Sequence, residues 1–213
     1  MQESDLDVWV VVNRAAGCTA INHPFIGGVK LDITFMTWAQ LLERCAEERQ
    51  RRERVPMLAE SKIIFDKGGK LKRLKEQMLK VKPFRYTAKD AQSVQFEVYH
   101  WGQKVRRALL AKDDDRALLS MHMGLPYLLK THYRSCGRWW VSDKRLMADL
   151  ATWDRPLVGR LKIFLRARAV RRKFAAWEGL VEHILRPWGG SVPIERINCN
   201  CKSCQKDRAA LVP

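Results

Sequence analysis

The sequence predicts an α+β protein: a short mixed β-sheet followed by an antiparallel helical bundle. Two observations carry that reading. Apolar, β-branched runs of strand length occur only in the first third of the chain, and beyond Pro83 apolar residues recur at helical spacing. A third bounds it: 213 residues with 46% hydrophobic content can bury a core as one domain or two small ones, which excludes general disorder. No apolar stretch is long enough to span a bilayer. The acidic, polar start does not read as a signal peptide, so a cytoplasmic protein with no membrane partner is the expectation.

The first element is Ser4-Asp5-Leu6-Asp7 running into Val8-Trp9-Val10-Val11-Val12, a buried-strand pattern. Asn13 to Gly28, with Gly17, Pro24 and Gly27-Gly28, is a connector, either a loop or a hairpin excursion. Val29 to Met36 is a second strand carrying Asp32 in an apolar run. Met36 to Arg54 turns helical, with Thr37 as N-cap and Trp38, Leu41, Leu42 and Cys45 on one face. Val55-Pro56 ends it. Ser61 to Asp66 reads as a short strand and Lys67-Gly68-Gly69-Lys70 as its turn, which lacks the spacing of a phosphate-binding P-loop. Leu71 to Val81 is a basic helix stopped by Pro83, where the first domain, 1–83, ends.

The second domain, 84–187, reads as helices alone. Thr87 and Asp90 fit a capping box, and Val94, Val98, Trp101, Val105 and Leu109 form the face that follows. Asp113-Asp114-Asp115 opens the next helix, where the helix dipole and the free amides favour acids. Leu118, Leu119, Leu125, Leu128 and Leu129 lie along it, Pro126 marks a kink, and Gly137 is its C-cap. Ser142 starts a short helix to Leu150. Asp154 and Pro156 open what reads as a single long helix to Leu185. Short connections make these helices an antiparallel bundle. Residues 188–213 form a tail with Cys199, Cys201 and Cys204. These three thiols read either as free thiols or as zinc ligands one short of a four-ligand structural site, for which His183, Cys136 or Cys18 would have to supply another.

Net charge is +17, and residues 1–42 hold only Arg14 and Lys30 against Glu3, Asp5, Asp7 and Asp32. An acidic island on a basic chain suits a polyanion, either a nucleoside triphosphate or a nucleic acid. Arg160, Lys162, Arg166, Arg168, Arg171, Arg172 and Lys173 follow one another with no acid among them, a face suited to an anion.

Asp5 and Asp7 point to one side of their strand, since side chains alternate. They also fit strand-entry residues, but an Asp inside the second strand is costly unless paired or bound to a cation. If the strands are neighbours, Asp32 completes a three-carboxylate cluster able to hold two Mg²⁺ ions on phosphates.

These residues resemble the nucleotidyltransferase domain of the DNA polymerase beta superfamily. The likeness is greatest to small bacterial-type nucleotidyltransferases with a helical C-terminal domain, which include aminoglycoside and lincosamide nucleotidyltransferases. Lys62 to Leu71 is similar to the last strand, turn and helix of that catalytic domain. Gly137-Arg138-Trp139-Trp140 with Asp143-Lys144-Arg145-Leu146 resembles a segment of the helical domain. The resemblance implies transfer of a nucleoside monophosphate from ATP or another NTP to an acceptor hydroxyl on a small molecule, protein or RNA. It implies that Asp5 and Asp7 bind both Mg²⁺ ions, that Asp32 ligates the catalytic one and assists deprotonation, and that Ser4 contacts the nucleotide. Acceptor choice would fall to the helical domain, with Trp101, His122, His132, Tyr133 and Trp139, then Glu97 and His100, as candidates.

The family's Gly-Ser phosphate turn precedes its DxD, whereas here only Met1, Gln2 and Glu3 precede Ser4. The chain therefore reads as truncated before the DxD: a fragment, a misplaced start or a reduced protein. The reduced form implies other roles, as a nucleotidyltransferase relic binding nucleic acid or protein through its basic bundle, or as a toxin–antitoxin component.

Overall fold

The computed structural model describes residues 5–14 and 20–191; Ser4, Cys18 and the Cys199, Cys201, Cys204 group lie outside them. The fold is α+β, and the chain divides into two compact units, Met1–Lys82 and Pro83–Pro213.

In the first unit, β1 (Asp5–Val12), β2 (Ala20–Ile26) and β3 (Val29–Thr37) form a mixed sheet in the order β1-β3-β2. β1 runs parallel to β3 and β2 antiparallel to it. The connector is thus in part a strand. Gly27 and Gly28, with φ of 58° and 80°, make the two-residue turn between the Ile26 and Val29 partners, and only such a positive-φ pair follows the twist of the flanking strands. The β2–β3 register shifts between His23 and Ile26, around Pro24, which has no N–H for the ladder.

Thr37 turns the chain from β3 into α1 (Trp38–Arg51) through a full capping box: its hydroxyl accepts from the Gln40 amide, and the Gln40 side chain accepts from the Thr37 amide. Leu41 and Cys45 of α1 meet Met36, Leu58 and Ala59 of α2 (Met57–Glu60), and Leu74 and Met78 of α3 (Lys70–Leu79). Trp9, Val11 and Trp38 pack on this cluster.

The strand expected at Ser61–Asp66 does not form. That segment is irregular, with Ile64 88% and Phe65 79% exposed. Local bonds take the groups a ladder would use. The Ser61 amide donates to the Met57 carbonyl, the Lys75 ammonium donates to the Ser61 carbonyl, and the Asp66 carbonyl accepts from the Gly69 amide.

The second unit comprises α4 (Ala91–Leu110), α5 (Asp114–Ser135), α6 (Asp143–Trp153), α7 (Arg155–Arg166) and α8 (Val170–Leu185), with 3₁₀ turns at Ala88–Asp90 and Arg186–Trp188. Asp113 caps α5 on the Arg116 amide, and α5 runs unbroken through Pro126. Its core includes Val98, Val105, Met121, Leu128, Tyr133, Leu157, Leu161, Phe164, Trp177, Leu180 and Ile184. Gly124 of α5 lies under the Trp177 and Trp101 rings, and a Cβ there would stand 2.8 Å from Trp177.

The single long helix expected from Asp154 to Leu185 is two helices. α7 ends at Arg166, and Ala167 is extended at φ −64°, ψ 120°. No glycine or proline marks the break. It follows from packing, since the apolar faces of α7 and α8 lie against each other. Lys173 stabilises the corner: its buried ammonium donates to the Phe164 carbonyl at 2.9 Å. Lys173 therefore leaves the basic run, whose other six members are exposed.

Candidate functional site

Asp7 lies directly opposite Asp32 across the parallel β1–β3 pair, and Asp5 lies opposite Lys30. Partners in register share a face, so Asp5, Asp7, Lys30 and Asp32 stand on the face that also carries Trp9, Val11 and Met36. The latter three pack in the α1–α3 core. Asp5 and Asp7, nearer the start of β1, are exposed, and Asp32 is half-buried. Asp32 Oδ1 is buried and accepts no hydrogen bond; the Lys30 ammonium pairs with it at 3.2 Å and donates to Oδ2 at 3.3 Å. Farther along the same face, the Arg44 guanidinium of α1 lies 4.6 Å from the Trp9 ring centroid.

The three carboxylates thus share one face without closing around one point. Among the described residues, the only group of three or more His, Cys, Asp or Glu ligand atoms lying within 4.8 Å of one another is elsewhere, at His132, Asp154 and His183. Asp154 is the N-cap of α7, and its Oδ1 accepts from the Leu157 amide at 3.0 Å. Its Oδ2 receives two imidazoles, His132 Nε2 of α5 at 2.7 Å and His183 Nε2 of α8 at 2.8 Å. Burial opposes the Asp154 charge, but the His183 hydrogen bond, the Leu157 amide and the field of both imidazoles outweigh it and hold the carboxyl below its usual range. Burial pushes His132 down more than Asp154 draws it up, so its ring is held toward the neutral form.

The His132 ring is fixed from behind. It stacks on Trp153 at 5.1 Å between centroids. The Trp153 indole N–H and the Tyr133 hydroxyl both donate to Asp149 Oδ2, at 2.9 and 2.6 Å. Burial and that carboxylate together push the Tyr133 phenol far above its ordinary range. Cys136 follows one turn after His132. Burial first, then the Asp154 charge, raise its thiol, but its sulfur lies outside the three-ligand group.

His132 was thus legible as an acceptor-site candidate and His183 as a possible ligand beside the tail thiols, whereas Asp154 and the convergence of the three were not. The two histidines lie 22 and 29 residues from Asp154 along the chain, and Asp154 alone reads as a cap. The other expected acceptor residues have separate surroundings. Trp101 lies against Gly124, and His122 is exposed beside Phe164. Trp139 is half-buried, exposed His100 stacks on Phe96, and Glu97 hydrogen-bonds Tyr127.

No family model matches the sequence, and no curated protein matches it. A search of solved structures finds a crystal structure, at 1.90 Å resolution, of a nucleotidyltransferase-like protein from Exiguobacterium sibiricum 255-15. The TM-score is 0.50 at 17% identity, and the match covers 84% of this chain and 61% of that one. The chain thus spans about three-fifths of the length of that protein. At this identity the likeness shows a nucleotidyltransferase-like fold.

Proposed function

We propose that this chain carries a nucleotidyltransferase site on the β1–β3 face, transferring a nucleoside monophosphate from ATP or another NTP to an acceptor hydroxyl. One observation carries the reading: the parallel register that sets Asp32 opposite Asp7, with Asp5 one alternation away on the same face. The nucleotidyltransferase-like fold supports it.

The donor set fits Mg²⁺. It consists of carboxylate oxygens, the hard ligands that ion takes, and one of them, Asp32 Oδ1, is buried without a hydrogen bond. Asp5 and Asp7 would hold two ions jointly, and Asp32 would ligate one of them. Bound there, Mg²⁺ would neutralise charge on the triphosphate and on the attacking oxygen. Asp32 would also assist deprotonation of the acceptor hydroxyl. Lys30 offsets part of the like-charge repulsion between Asp32 and Asp7, and its ammonium is free to meet a phosphate once cations occupy the carboxylates.

The test is pyrophosphate release from ATP and Mg²⁺ across a panel of aminoglycoside, protein and tRNA acceptors. Asp7→Asn and Asp32→Asn are expected to abolish release while leaving the unfolding midpoint in place. Full activity in either variant would sink the assignment.

A second reading, a nucleic-acid-binding module, rests on the exposed Arg160, Lys162, Arg166, Arg168, Arg171 and Arg172 with no acid among them. It calls for RNA binding that weakens steeply with salt and is indifferent to Asp5 and Asp7.

A further inference from the structure

We propose that the second unit carries a site for a divalent transition-metal ion of the zinc class, bound by His132 Nε2, His183 Nε2 and Asp154 Oδ2. Three separate elements converge on one carboxylate oxygen: α5, the N-cap of α7, and α8. Two imidazoles and one carboxylate are the ligands of choice for borderline ions such as Zn²⁺ and Co²⁺.

The arrangement exceeds what a helix cap requires. The Leu157 amide already completes Asp154 as an N-cap. Two further rings aimed at its other oxygen add nothing to capping. They also bring a buried ring, His132 at 5% exposed, against that oxygen. A bound cation gives the convergence a use.

The geometry needs little adjustment. Tetrahedral ligands at about 2.0–2.1 Å from an ion stand about 3.3 Å apart. The two N···O separations are 2.7 and 2.8 Å, so an ion would open each by about 0.5 Å. The stack of His132 on Trp153, with Trp153 and Tyr133 tied to Asp149, holds that ring in place and makes the site preorganised. Three protein ligands leave a fourth position for water. The ion would tie three helical elements together and add its binding free energy to folding.

The test uses the full chain with Cys199→Ser, Cys201→Ser and Cys204→Ser, which removes the competing tail thiols. After chelator treatment the protein is titrated with Co²⁺ alone, followed by visible absorption, and then with Zn²⁺. One equivalent of Co²⁺ is expected to give a four- or five-coordinate spectrum that Zn²⁺ abolishes. His183→Gln and Asp154→Asn should each weaken binding roughly a hundredfold or more, whereas His122→Gln should leave it unchanged. Asn keeps the cap to Leu157, so Asp154→Asn stays informative if a histidine variant misfolds. Absence of a Co²⁺ spectrum, or undiminished binding in both variants, would overturn the proposal.

Discussion

Alanine at Gly124 should destabilise the helical unit even though the same substitution should stabilise it at two neighbouring helices. Gly124, Gly102 and Gly159 all sit inside helices, where Gly→Ala alone gains about 0.8–1.0 kcal/mol. At Gly102 and Gly159 a new Cβ meets nothing within 4 Å, so most of that gain should appear. At Gly124 the Cβ would stand 2.8 Å from Trp177 Cη2 and 3.2 Å from Trp101 Cδ2 and Cε3. Trp177 is 1% exposed and packs beside Phe164, so a Cβ at Gly124 enters only if the ring is pushed from its packed position. Overpacking of this kind costs about 1–3 kcal/mol, and here it falls on two rings at once. Set against the propensity gain, the net loss is up to about 2 kcal/mol, toward the upper end because two rings are met. The assay is urea or thermal unfolding followed by far-UV circular dichroism on the three single variants. About 1 kcal/mol corresponds to roughly 2–4 °C in Tm for a chain of this size. Gly102→Ala and Gly159→Ala should rise and Gly124→Ala should fall. A rise at Gly124 comparable to the other two would refute the packing argument.

Thr37→Ala removes the hydroxyl half of the α1 capping box and should lower stability by about 1 kcal/mol, measured as a lower urea midpoint at unchanged m-value. Tyr133→Phe leaves Asp149 with one donor fewer in a part-buried setting; a loss of about 1–3 kcal/mol is expected in the same assay. Acid should weaken the helical unit in a definite order. His132 takes up its proton less readily folded than unfolded, so its contribution is complete above its ordinary value of 6.5 and declines below it. Asp154, held low by folding, keeps its contribution until pH falls through the carboxylate range. Urea midpoints measured from neutral to acid pH should therefore begin to fall before carboxylates titrate, and His132→Gln should flatten that first limb.

The elements whose signals are local were legible in the sequence. Thr37, Thr87 with Asp90, and the Asp113-Asp114-Asp115 run each announce a helix start, and a helix starts at each. Strand pairing was legible only as a conditional, since nothing local says that β1 and β3 are neighbours, and β2 intervenes in sequence. Two readings failed for the same physical reason: composition marks an apolar run but not what it packs against. Ile63-Ile64-Phe65 has strand composition, yet the backbone groups of Ser61 and Asp66 at its two ends bond locally and no neighbouring strand covers Ile64 and Phe65, which are exposed. The α7–α8 break lies in a run of good helix formers, and only the packing of two apolar faces, with Lys173 on the Phe164 carbonyl, turns the chain there. The His132–Asp154–His183 convergence was illegible because its three members carry no common spacing and meet only when α5, α7 and α8 assemble.

The measurement that tests the central claim most directly is calorimetric titration of ATP into the full chain, with and without Mg²⁺, beside the Asp5→Asn, Asp7→Asn double variant. If the β1–β3 face is a nucleotide–metal site, ATP should bind only when Mg²⁺ is present, and the heat should vanish in the double variant while its circular dichroism stays unchanged. Binding that needs neither the ion nor the two carboxylates, or no binding by the wild-type chain, would contradict the assignment.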